Sequence, residues 1–234
     1  MKKGDLKKQE ILDTAEILFC RNGYEQTSIQ DILDRLNSSK GSFYHHFVSK
    51  EALLEAICRK RANQIYSSVT ASSSENESNT ENLNTMLSGM IPLHDHKLSF
   101  LMMLLPIFHL PEGRMIQLCY CDALSFLFYP NVYDILKSGH QNGDFVCPDP
   151  QTAADLILSI VNRLWCQICI DIIIAEEKNT EADLSELLRL TDCYRLTIER
   201  MISLPYGSLQ LVDIPTLGFL TGQIHNHWRH KNSI

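Results

Sequence analysis

A segment of 21 residues from Thr27 to Phe47, TSIQDILDRLNSSKGSFYHHF, constrains the fold more than any other part of the chain. Four apolar residues in it recur at the spacing of one face of an α-helix: Ile29, Ile32, Leu33 and Leu36. Thr27 is predicted to cap the N-terminus of this helix, and Gln30 three residues later completes a capping box. The segment therefore predicts a short amphipathic helix from Thr27 to Leu36.

A polar turn and a second short helix follow in the same segment. Asn37 and Ser38 form the turn, because their side chains compete with helical backbone hydrogen bonding. Asn37 also tolerates a left-handed backbone almost as a glycine does. Ser39 is predicted to cap a helix that runs from Lys40 to Phe47.

The second helix has two unlike faces. Phe43 and Phe47 lie about 40° apart around the helix axis and form a small apolar side. The opposite side is small, hydrogen-bonding and free of acidic residues, and it comprises Gly41, Ser42 and His45. A short helix of this kind, held against a capped partner helix, suits insertion into the major groove of DNA.

In such a complex the side chains divide by what they reach. Lys40, Tyr44 and Lys50 are predicted to contact phosphates, which position the protein. Ser42 and His45 are predicted to contact base edges, which specify sequence. Each of these five assignments follows from the position of the residue on or beside the second helix.

The N-terminus of the first helix adds further phosphate ligands. Thr27 and Ser28 offer hydroxyl and backbone N–H groups there; alternatively, Thr27 acts only as a helix cap. The predicted DNA-binding set is Thr27, Ser28, Ser39, Lys40, Gly41, Ser42, Tyr44, His45 and Lys50.

Three sequence runs carry a resemblance to a known family. They are T-S-I-x-x-I from Thr27, SKGSFYHHF from Ser39 and S-K-E-x-L-L from Ser49. Together they resemble the DNA-binding domain of the TetR family of one-component bacterial transcription regulators, over about Lys8 to Ala62. The resemblance implies an all-α chain, with a three-helix helix-turn-helix domain followed by a larger helical domain that binds a ligand and dimerises.

The chain is predicted to comprise a DNA-binding domain (1–62), a helical ligand-binding and dimerisation domain (63–204) and a tail of undefined structure (205–234). Few Pro and Gly residues and scarce alternating β-branched runs also favour an all-helical fold. The first helix is predicted from Lys8 to Asn22, with Gly23 as a left-handed C-terminal residue. A fourth helix, capped by Ser49, begins at Lys50, and in the family it connects the two domains.

The middle of the chain is predicted to alternate between polar connections and helices. The polar segment from Ser67 to Asn82 is interpreted as a mobile connection or, alternatively, a frayed helix end. Pro92 is expected to separate two helices, Pro106 to kink or end the second of them, and Pro130 to stop a helix. The predicted helices run from Glu81 to Met90, Asp95 to Leu105, Glu112 to Phe128 and Asn131 to Ser138.

Two long helices near the C-terminus are predicted to form a dimer interface. The first runs from Pro150 to Ala175, with Asp149 as its cap and Pro150 at its first position. The second runs from Glu181 to Leu204. Their apolar faces have more surface than one small domain can cover, which favours a four-helix bundle with a second copy. Family members pair in this way; the alternative is that their own domain covers both faces.

Aromatic and thioether residues of the middle helices are candidates for an effector pocket. The alternative for each of them alone is that it belongs to the core. The predicted lining, which follows from the resemblance, is Met102, Met103, Phe108, His109, Tyr120, Phe126, Tyr129 and Trp165.

Cysteine and histidine clusters offer a third kind of site. Cys166 and Cys169 form a CxxC pair within an apolar helix, where thiols act as small hydrophobes. A histidine-rich tract near the C-terminus, at His225, His227 and His230, is interpreted as a terminal tail rather than a metal site. No metal, no cofactor and no catalytic motif is predicted, so the chain is not expected to be an enzyme.

The charge is unevenly distributed. The formal net charge is −7, but residues 1–61 carry +2 and residues 62–234 carry −9. The basic excess therefore lies beside the proposed DNA helix, led by Lys2, Lys3, Lys7 and Lys8, although such a run is more often a solvated tail. No signal segment and no apolar run long enough for a membrane are recognised, so a cytoplasmic protein is expected.

These patterns lead to one expected function and two alternatives. The expected function is a ligand-responsive repressor that binds a palindromic double-stranded DNA operator as a homodimer and responds to a small-molecule effector. One alternative is a protein-binding co-regulator that keeps the fold without DNA readout. The other is a thiol or metal sensor.

Overall fold

The structure, a computed structural model, describes residues 3–72, 77–92, 98–104 and 107–232, and their side chains except those of residues 3, 98, 99, 103, 112 and 227–232. Within these ranges the chain is helical without strands. Ten helices are described there: α1 (Lys3–Asn22), α2 (Ile29–Arg35), α3 (Lys40–Tyr44), α4 (Lys50–Ser72), α5 (Asn79–Met90), α6 (Leu98–Leu104), α7 (Pro111–Asn142), α8 (Pro150–Glu177), α9 (Leu184–Met201) and α10 (Ile214–Asn232). The predicted all-α class is confirmed.

The chain divides into two compact units. The first comprises Met1–Ala62 and Phe100–Ala123, and the second comprises Asn63–Ser99 and Leu124–Ile234. The first unit therefore contains α1 to α3 together with residues of α4, α6 and α7. The second contains α5 and α8 to α10 with the remaining residues of α4, α6 and α7.

The core of the first unit is built on α1, α2, α3 and the start of α4. Ile11 and Ala15 of α1, Ile32 of α2, Phe43 of α3 and Leu53 of α4 are fully buried. An ion pair joins two of these helices, because the half-buried Arg61 guanidinium lies 2.6 Å from the buried Glu16 carboxylate. Packing and a paired charge thus fix α1 against α4.

Several helix ends follow the predicted cap residues. Gly23 follows the end of α1 with a left-handed backbone, at φ 89°. Asn37 also has a left-handed backbone, at φ 46°, in the turn after α2. Ser39 accepts a hydrogen bond from the Ser42 N–H, and Ser49 accepts one from the Ala52 N–H. Asp149 caps α8 through the Thr152 N–H, with Pro150 as its first residue. These caps occur where side-chain oxygens and left-handed residues satisfy orphan backbone groups.

The cap predicted for α2 is wrong by one residue. Ser28, not Thr27, is the N-cap, and Asp31, not Gln30, completes the capping box. Helix α3 ends at Tyr44, three residues before the predicted end at Phe47. A one-residue shift of the cap leaves the Thr27 side chain free to point into the core.

The second unit is layered around α8, which packs against α9, α10 and α5. Ile157, Val161, Trp165, Ile168 and Ile172 of α8 are all fully buried. Helix α8 is long and apolar enough to cross a membrane, but 61% of its most apolar window is buried within the protein. That burial is what a core helix of a folded domain shows.

Pro130 does not end a helix, contrary to prediction. Helix α7 runs through it from Pro111 to Asn142, so the two predicted helices are one. Pro130 itself is exposed. Three fully buried residues around the proline hold the helix to the core: Phe128, Val132 and Leu136.

The polar segment from Ser67 to Asn82 is more ordered than predicted. Helix α4 continues to Ser72, and α5 begins at Asn79 with Ser78 as its cap. Ser78 and Glu81 form a capping box, a S-x-x-E signature that identifies a helix start. Residues 73–76 lie outside the described part of the chain, as do Asp95 and Leu105, the predicted bounds of the helix observed as α6.

The C-terminal segment, for which the sequence indicated no defined structure, contains the helix α10. Leu217, Leu220 and Ile224 of α10 are fully buried, and α10 packs on α8 and α9. Asp213 caps it by accepting the Thr216 N–H at 2.8 Å. The apolar spacing i, i+3, i+7 and this cap were readable in the sequence, but two glycines within the helix obscured them.

A buried ion pair fixes the connection between α9 and α10. Glu199 is fully buried and accepts two hydrogen bonds of 2.8 Å from the Arg195 guanidinium. Its carboxylate also accepts the Gly207 and Leu209 N–H groups at 3.2 and 3.0 Å. The loop that leads to α10 is therefore held by one carboxylate.

Candidate nucleic-acid interface

Helix α3 is anchored by its two phenylalanines. Phe43 is fully buried and Phe47 nearly so, and their ring centroids lie 5.9 Å apart. Tyr44 contacts the Phe43 ring edge-on at 5.3 Å, while 54% of its surface remains exposed. The apolar side of α3 is thus fixed in the core of the first unit, and the tyrosine projects from it.

The opposite side of α3 faces solvent. Lys40, Gly41 and His45 are exposed, and Ser42 is partly exposed. A Cβ added at Gly41 would approach only the Ser39 Oγ, at 3.9 Å, so the surface there is open. The first turn of α3 contains no acidic residue. This surface combines hydrogen-bonding groups, one cationic side chain and room for a close approach.

At the N-terminus of α2, the carboxylate of Asp31 accepts hydrogen bonds from Ser28. The N–H and the hydroxyl of Ser28 both donate to Asp31 Oδ2 at 2.7 Å. These two hydrogen bonds lower the pKa of Asp31 below its usual value. Ser28 is exposed, as a phosphate ligand must be, but the donors predicted for phosphate already serve an ionised carboxylate.

Thr27 occupies a different position from the one predicted. Its side chain is fully buried, and its hydroxyl donates to the Gly23 carbonyl at 2.9 Å and the Leu18 carbonyl at 3.3 Å. A buried and hydrogen-bonded hydroxyl does not reach a phosphate, so the predicted roles of Thr27 as cap and as DNA ligand are replaced by one in the core. Its β-branched side chain joins α1 to the start of α2.

Lys50 is also directed inward. Its ammonium donates to the carbonyls of Tyr24 and Thr27 at 3.0 and 3.2 Å and lies 4.2 Å from the centroid of the Tyr24 ring. The lysine therefore ties the start of α4 to the connection between α1 and α2. Sequence reasoning assigned it only to phosphate, and no sequence signal indicated the inward contacts.

Two of the N-terminal lysines have contacts of their own. Lys7 pairs with Glu10 at 3.0 Å, and the Lys8 ammonium lies 5.7 Å from the centroid of the Phe47 ring. Lys8 therefore lies beside Phe47, just after the C-terminal end of α3. Lys2 lies outside the described residues, and the side chain of Lys3 is not described.

The residues predicted for an effector pocket fall in both units. In the first unit, Phe108 and Tyr120 are buried, Met102 and His109 are half-buried, and the side chain of Met103 is not described. The Tyr120 ring packs edge-on against Phe100 at 5.0 Å. These contacts place Tyr120 in the core of its unit.

The other three members of the predicted pocket belong to the second unit. Phe126 is exposed over 69% of its surface, and Tyr129 stacks on Tyr133 with ring centroids 6.2 Å apart. Trp165 is fully buried, and its Nε1–H donates to Asn162 Oδ1 at 3.0 Å. Within this unit, Trp165 is buried, Phe126 is exposed and Tyr129 is half-buried, so the three residues do not share one environment.

The cysteines are mainly core residues. Cys166 and Cys169 are buried, and burial raises the pKa of the Cys169 thiol well above its usual value. Cys119, which is half-buried, also has a raised pKa because of burial and the nearby Asp122. Thiols that resist ionisation are poor metal ligands and poor nucleophiles. Among the described residues, no three His, Cys, Asp or Glu side chains are grouped as metal ligands.

Comparisons with known proteins point to one family. Residues 11–57 match the family described as bacterial regulatory proteins, tetR family. The chain is 48% identical over 52 residues to the uncharacterized HTH-type transcriptional regulator YerO of Bacillus subtilis, and these cover 22% of this chain and 18% of that protein. It is 42% identical over 53 residues to the HTH-type transcriptional repressor KstR2 of Rhodococcus jostii, over 23% of this chain and 26% of that protein.

These relatives are transcriptional regulators, and the chain matches about a fifth to a quarter of their length. A solved structure extends the likeness of fold. A bacterial regulatory protein in the tetR family from Rhodococcus RHA1 superposes with a TM-score of 0.52 at 18% identity, over 86% of this chain and 98% of that one. Residues 11–57 thus match the tetR family of bacterial regulatory proteins, and the chain as a whole shares the helical fold of a solved protein of that family.

Proposed function

We propose that this protein is a transcriptional repressor that binds a double-stranded DNA operator through α3. The observation that carries the proposal is the orientation of this helix. Its phenylalanines are buried and its Gly41, Ser42 and His45 side is open to solvent. A short helix so oriented can enter the major groove, where base pairs are distinguished by their donors and acceptors.

The side chains of α3 would have distinct tasks on DNA. Lys40 and the Tyr44 hydroxyl would contact phosphates, because both side chains are exposed and stand at the two ends of α3. Ser42 and His45 would contact base edges, with Gly41 permitting close approach of the backbone. Ser39 and Lys50 would act mainly by holding α3 and α4 in place, since Ser39 caps α3 and Lys50 binds two carbonyls.

The proposal includes a homodimer that binds a palindromic operator with one α3 per half-site. Helix α8 supports it with a line of outward residues at heptad spacing: Leu156, Ile160, Arg163, Gln167, Ile170 and Ile174. All six are exposed or half-buried, and the Arg163 guanidinium donates to Gln167 Oε1 at 3.1 Å. Four of the six are apolar. Such a line is the seam that packs two helices together in a bundle.

We further propose that a small molecule regulates DNA binding, as in ligand-responsive members of the family. Phe108 and Tyr120 are buried aromatic side chains of the type that lines small-molecule sites. A ligand that prefers the form unable to bind DNA needs a coupling free energy of only about 1–3 kcal/mol. The protein would act in the cytoplasm, where the operator is.

The test begins with selection of bound duplexes from a random DNA pool, followed by gel-shift titration of the selected site at several salt concentrations. Lys40→Ala and Tyr44→Phe should each weaken binding to all sites about equally, and Lys40→Ala should lower the salt slope by about 1. His45→Ala should change the preferred sequence. Lys178→Ala, which removes an exposed lysine of the second unit, is the control and should bind normally.

Failure to select any sequence with the wild-type protein would contradict the proposal and favour the co-regulator alternative. Unchanged affinity and sequence preference in all three α3 variants would contradict the assignment of the surface while leaving DNA binding itself intact.

A further inference from the structure

A cavity lies in the second unit where the end of α8, the start of α9 and α10 meet. Its volume is about 250 Å³. It is lined by Glu176, Glu181, Ala182, Leu184, Gly218, Thr221, Gly222 and His225. None of these residues belongs to the proposed DNA-binding surface or to the predicted effector pocket.

The polar end of the cavity is a carboxylate paired with an imidazole. Glu176 is 9% exposed, and its two carboxylate oxygens lie 3.0 and 3.1 Å from Nδ1 of His225. An ionised carboxylate only accepts hydrogen bonds, so the ring nitrogen donates to it. One such donor leaves further lone pairs of Glu176 available to a second cationic or N–H donor.

The charge around the cavity is negative. Glu181 is a second carboxylate in the lining, which contains no lysine or arginine. Glu176 also lies in the last turn of α8, where the helix dipole is negative. The positive N-terminal end of α9 is already capped by the Asp183 carboxylate, which accepts the Ser185 and Glu186 N–H groups. The local field therefore favours a cation over an anion.

Part of the cavity lining is small and apolar. Ala182 and Leu184 supply apolar atoms, and two glycines of α10 leave the space open. A Cβ added at Gly218 or Gly222 would meet nothing within 4 Å. A larger side chain at either position would therefore enter free space rather than clash with the fold.

We propose that this cavity binds a small organic monocation, with its ammonium group on Glu176 and Glu181 and its hydrocarbon part against Ala182 and Leu184. A metal ion is a poorer occupant, because no three metal-ligating side chains are grouped among the described residues. The volume suits a compact amine such as a six-membered carbocycle with one ammonium group.

The experiment is isothermal titration calorimetry of the full-length protein without DNA at pH 8. The probes are cyclohexylammonium, cyclohexanol and cyclohexanecarboxylate, which share one ring and differ in charge. An alkylammonium stays protonated at this pH, as a lysine does. We expect saturable binding of cyclohexylammonium, with at least tenfold weaker binding of cyclohexanol and no binding of cyclohexanecarboxylate.

Two variants and one control locate the site. Gly222→Leu fills the cavity and should abolish binding, and it should keep the fold because leucine favours a helix more than glycine does. Glu176→Gln should weaken binding of cyclohexylammonium at least tenfold while keeping the size of the side chain. Gly4→Leu places the same substitution on a helical glycine of the first unit that also has open space around it, and it should bind as the wild type does.

The proposal is overturned if the wild type does not bind cyclohexylammonium, if cyclohexanol binds equally well, or if Gly222→Leu retains the wild-type affinity. Circular dichroism of each variant verifies that it is folded before titration. Because no DNA is present, the result is independent of whether the protein binds an operator.

Discussion

At the scale of single residues, Thr27 shows how a helix start can serve the core. The cap of α2 falls on Ser28, which leaves Thr27 buried with its hydroxyl donated to the Gly23 and Leu18 carbonyls. Thr27→Val keeps the β-branched shape and removes these hydrogen bonds. We expect the free energy of unfolding to fall by about 1 kcal/mol, because a buried carbonyl loses its partner.

Urea denaturation followed by circular dichroism measures this change. Thr197→Val is the control, because the Thr197 hydroxyl also donates to a backbone carbonyl, at 2.8 Å, but on an exposed part of α9. A Thr27→Val protein as stable as the control variant would contradict the role assigned to this hydroxyl.

Glu199 illustrates the dependence of a loop on one carboxylate. Glu199→Gln removes the negative charge beside Arg195 and one of the acceptors for the Gly207 and Leu209 N–H groups. We expect a loss of about 3 kcal/mol in unfolding free energy, since the buried Arg195 guanidinium loses its buried carboxylate and keeps only the exposed Asp192 as an ionic partner. Thermal and urea unfolding both measure the loss.

The matched control for Glu199→Gln lies on the same helix. Glu186 pairs with Arg189, but both side chains are exposed, at 59% and 66%. Exposed ion pairs contribute little to stability, so Glu186→Gln should leave unfolding unchanged. Equal losses of unfolding free energy for the two substitutions would show that burial does not determine how much the Arg195–Glu199 pair contributes to stability.

At the scale of helices, the ends that depend on neighbouring residues were predictable from the sequence, and those that depend on tertiary packing were not. Caps such as Ser39, Ser49 and Asp149 were predictable, because a side-chain oxygen satisfies orphan N–H groups within three residues. Pro130 was misread, because tertiary packing of its neighbours outweighed the local cost of a proline.

Contacts distant in the sequence were the least predictable part of the candidate site. The inward direction of Lys50 depends on carbonyls 23 and 26 residues earlier, and no local pattern encodes it. The outward side of α3, by contrast, was predictable because Phe43 and Phe47 are four residues apart and must both reach the core. Helix α10 was missed although its apolar spacing was present.

Pro130 leads to a prediction for α7 as a whole. Pro130→Ala restores an N–H to the middle of a helix at an exposed position. We expect a gain of about 2 kcal/mol in unfolding free energy, after allowing for the greater freedom of the unfolded chain. Pro111→Ala is the control at the first residue of the same helix. The N–H group of a first residue has no partner within the helix, so restoring it should have little effect on the unfolding free energy.

A lower stability of Pro130→Ala in thermal unfolding would instead indicate that α7 needs the shape that the proline gives it.

At the scale of the whole molecule, the apolar surface of α8 exceeds what one chain covers. Of its most apolar stretch, 61% is buried inside the chain. The uncovered part includes Leu156, which is 47% exposed, and the half-buried Ile160 and Ile170. Exposed apolar side chains at heptad spacing form the kind of surface on which a partner helix packs, so the proposed second copy would cover this seam.

Leu156→Glu tests the proposed dimer, because it introduces a charge into the seam at a position exposed in the single chain. We expect the dimer to dissociate at least tenfold more readily, since each copy would bury one carboxylate against the other's apolar face. Sedimentation equilibrium over a range of protein concentrations measures this. Leu118→Glu is the control, because Leu118 is an equally exposed leucine, at 55%, on α7 rather than on the seam. Dimers of equal strength in both variants would place the interface elsewhere. A wild type that stays monomeric would contradict the proposed dimer, because a monomer could not bind both halves of a palindrome with paired α3 helices.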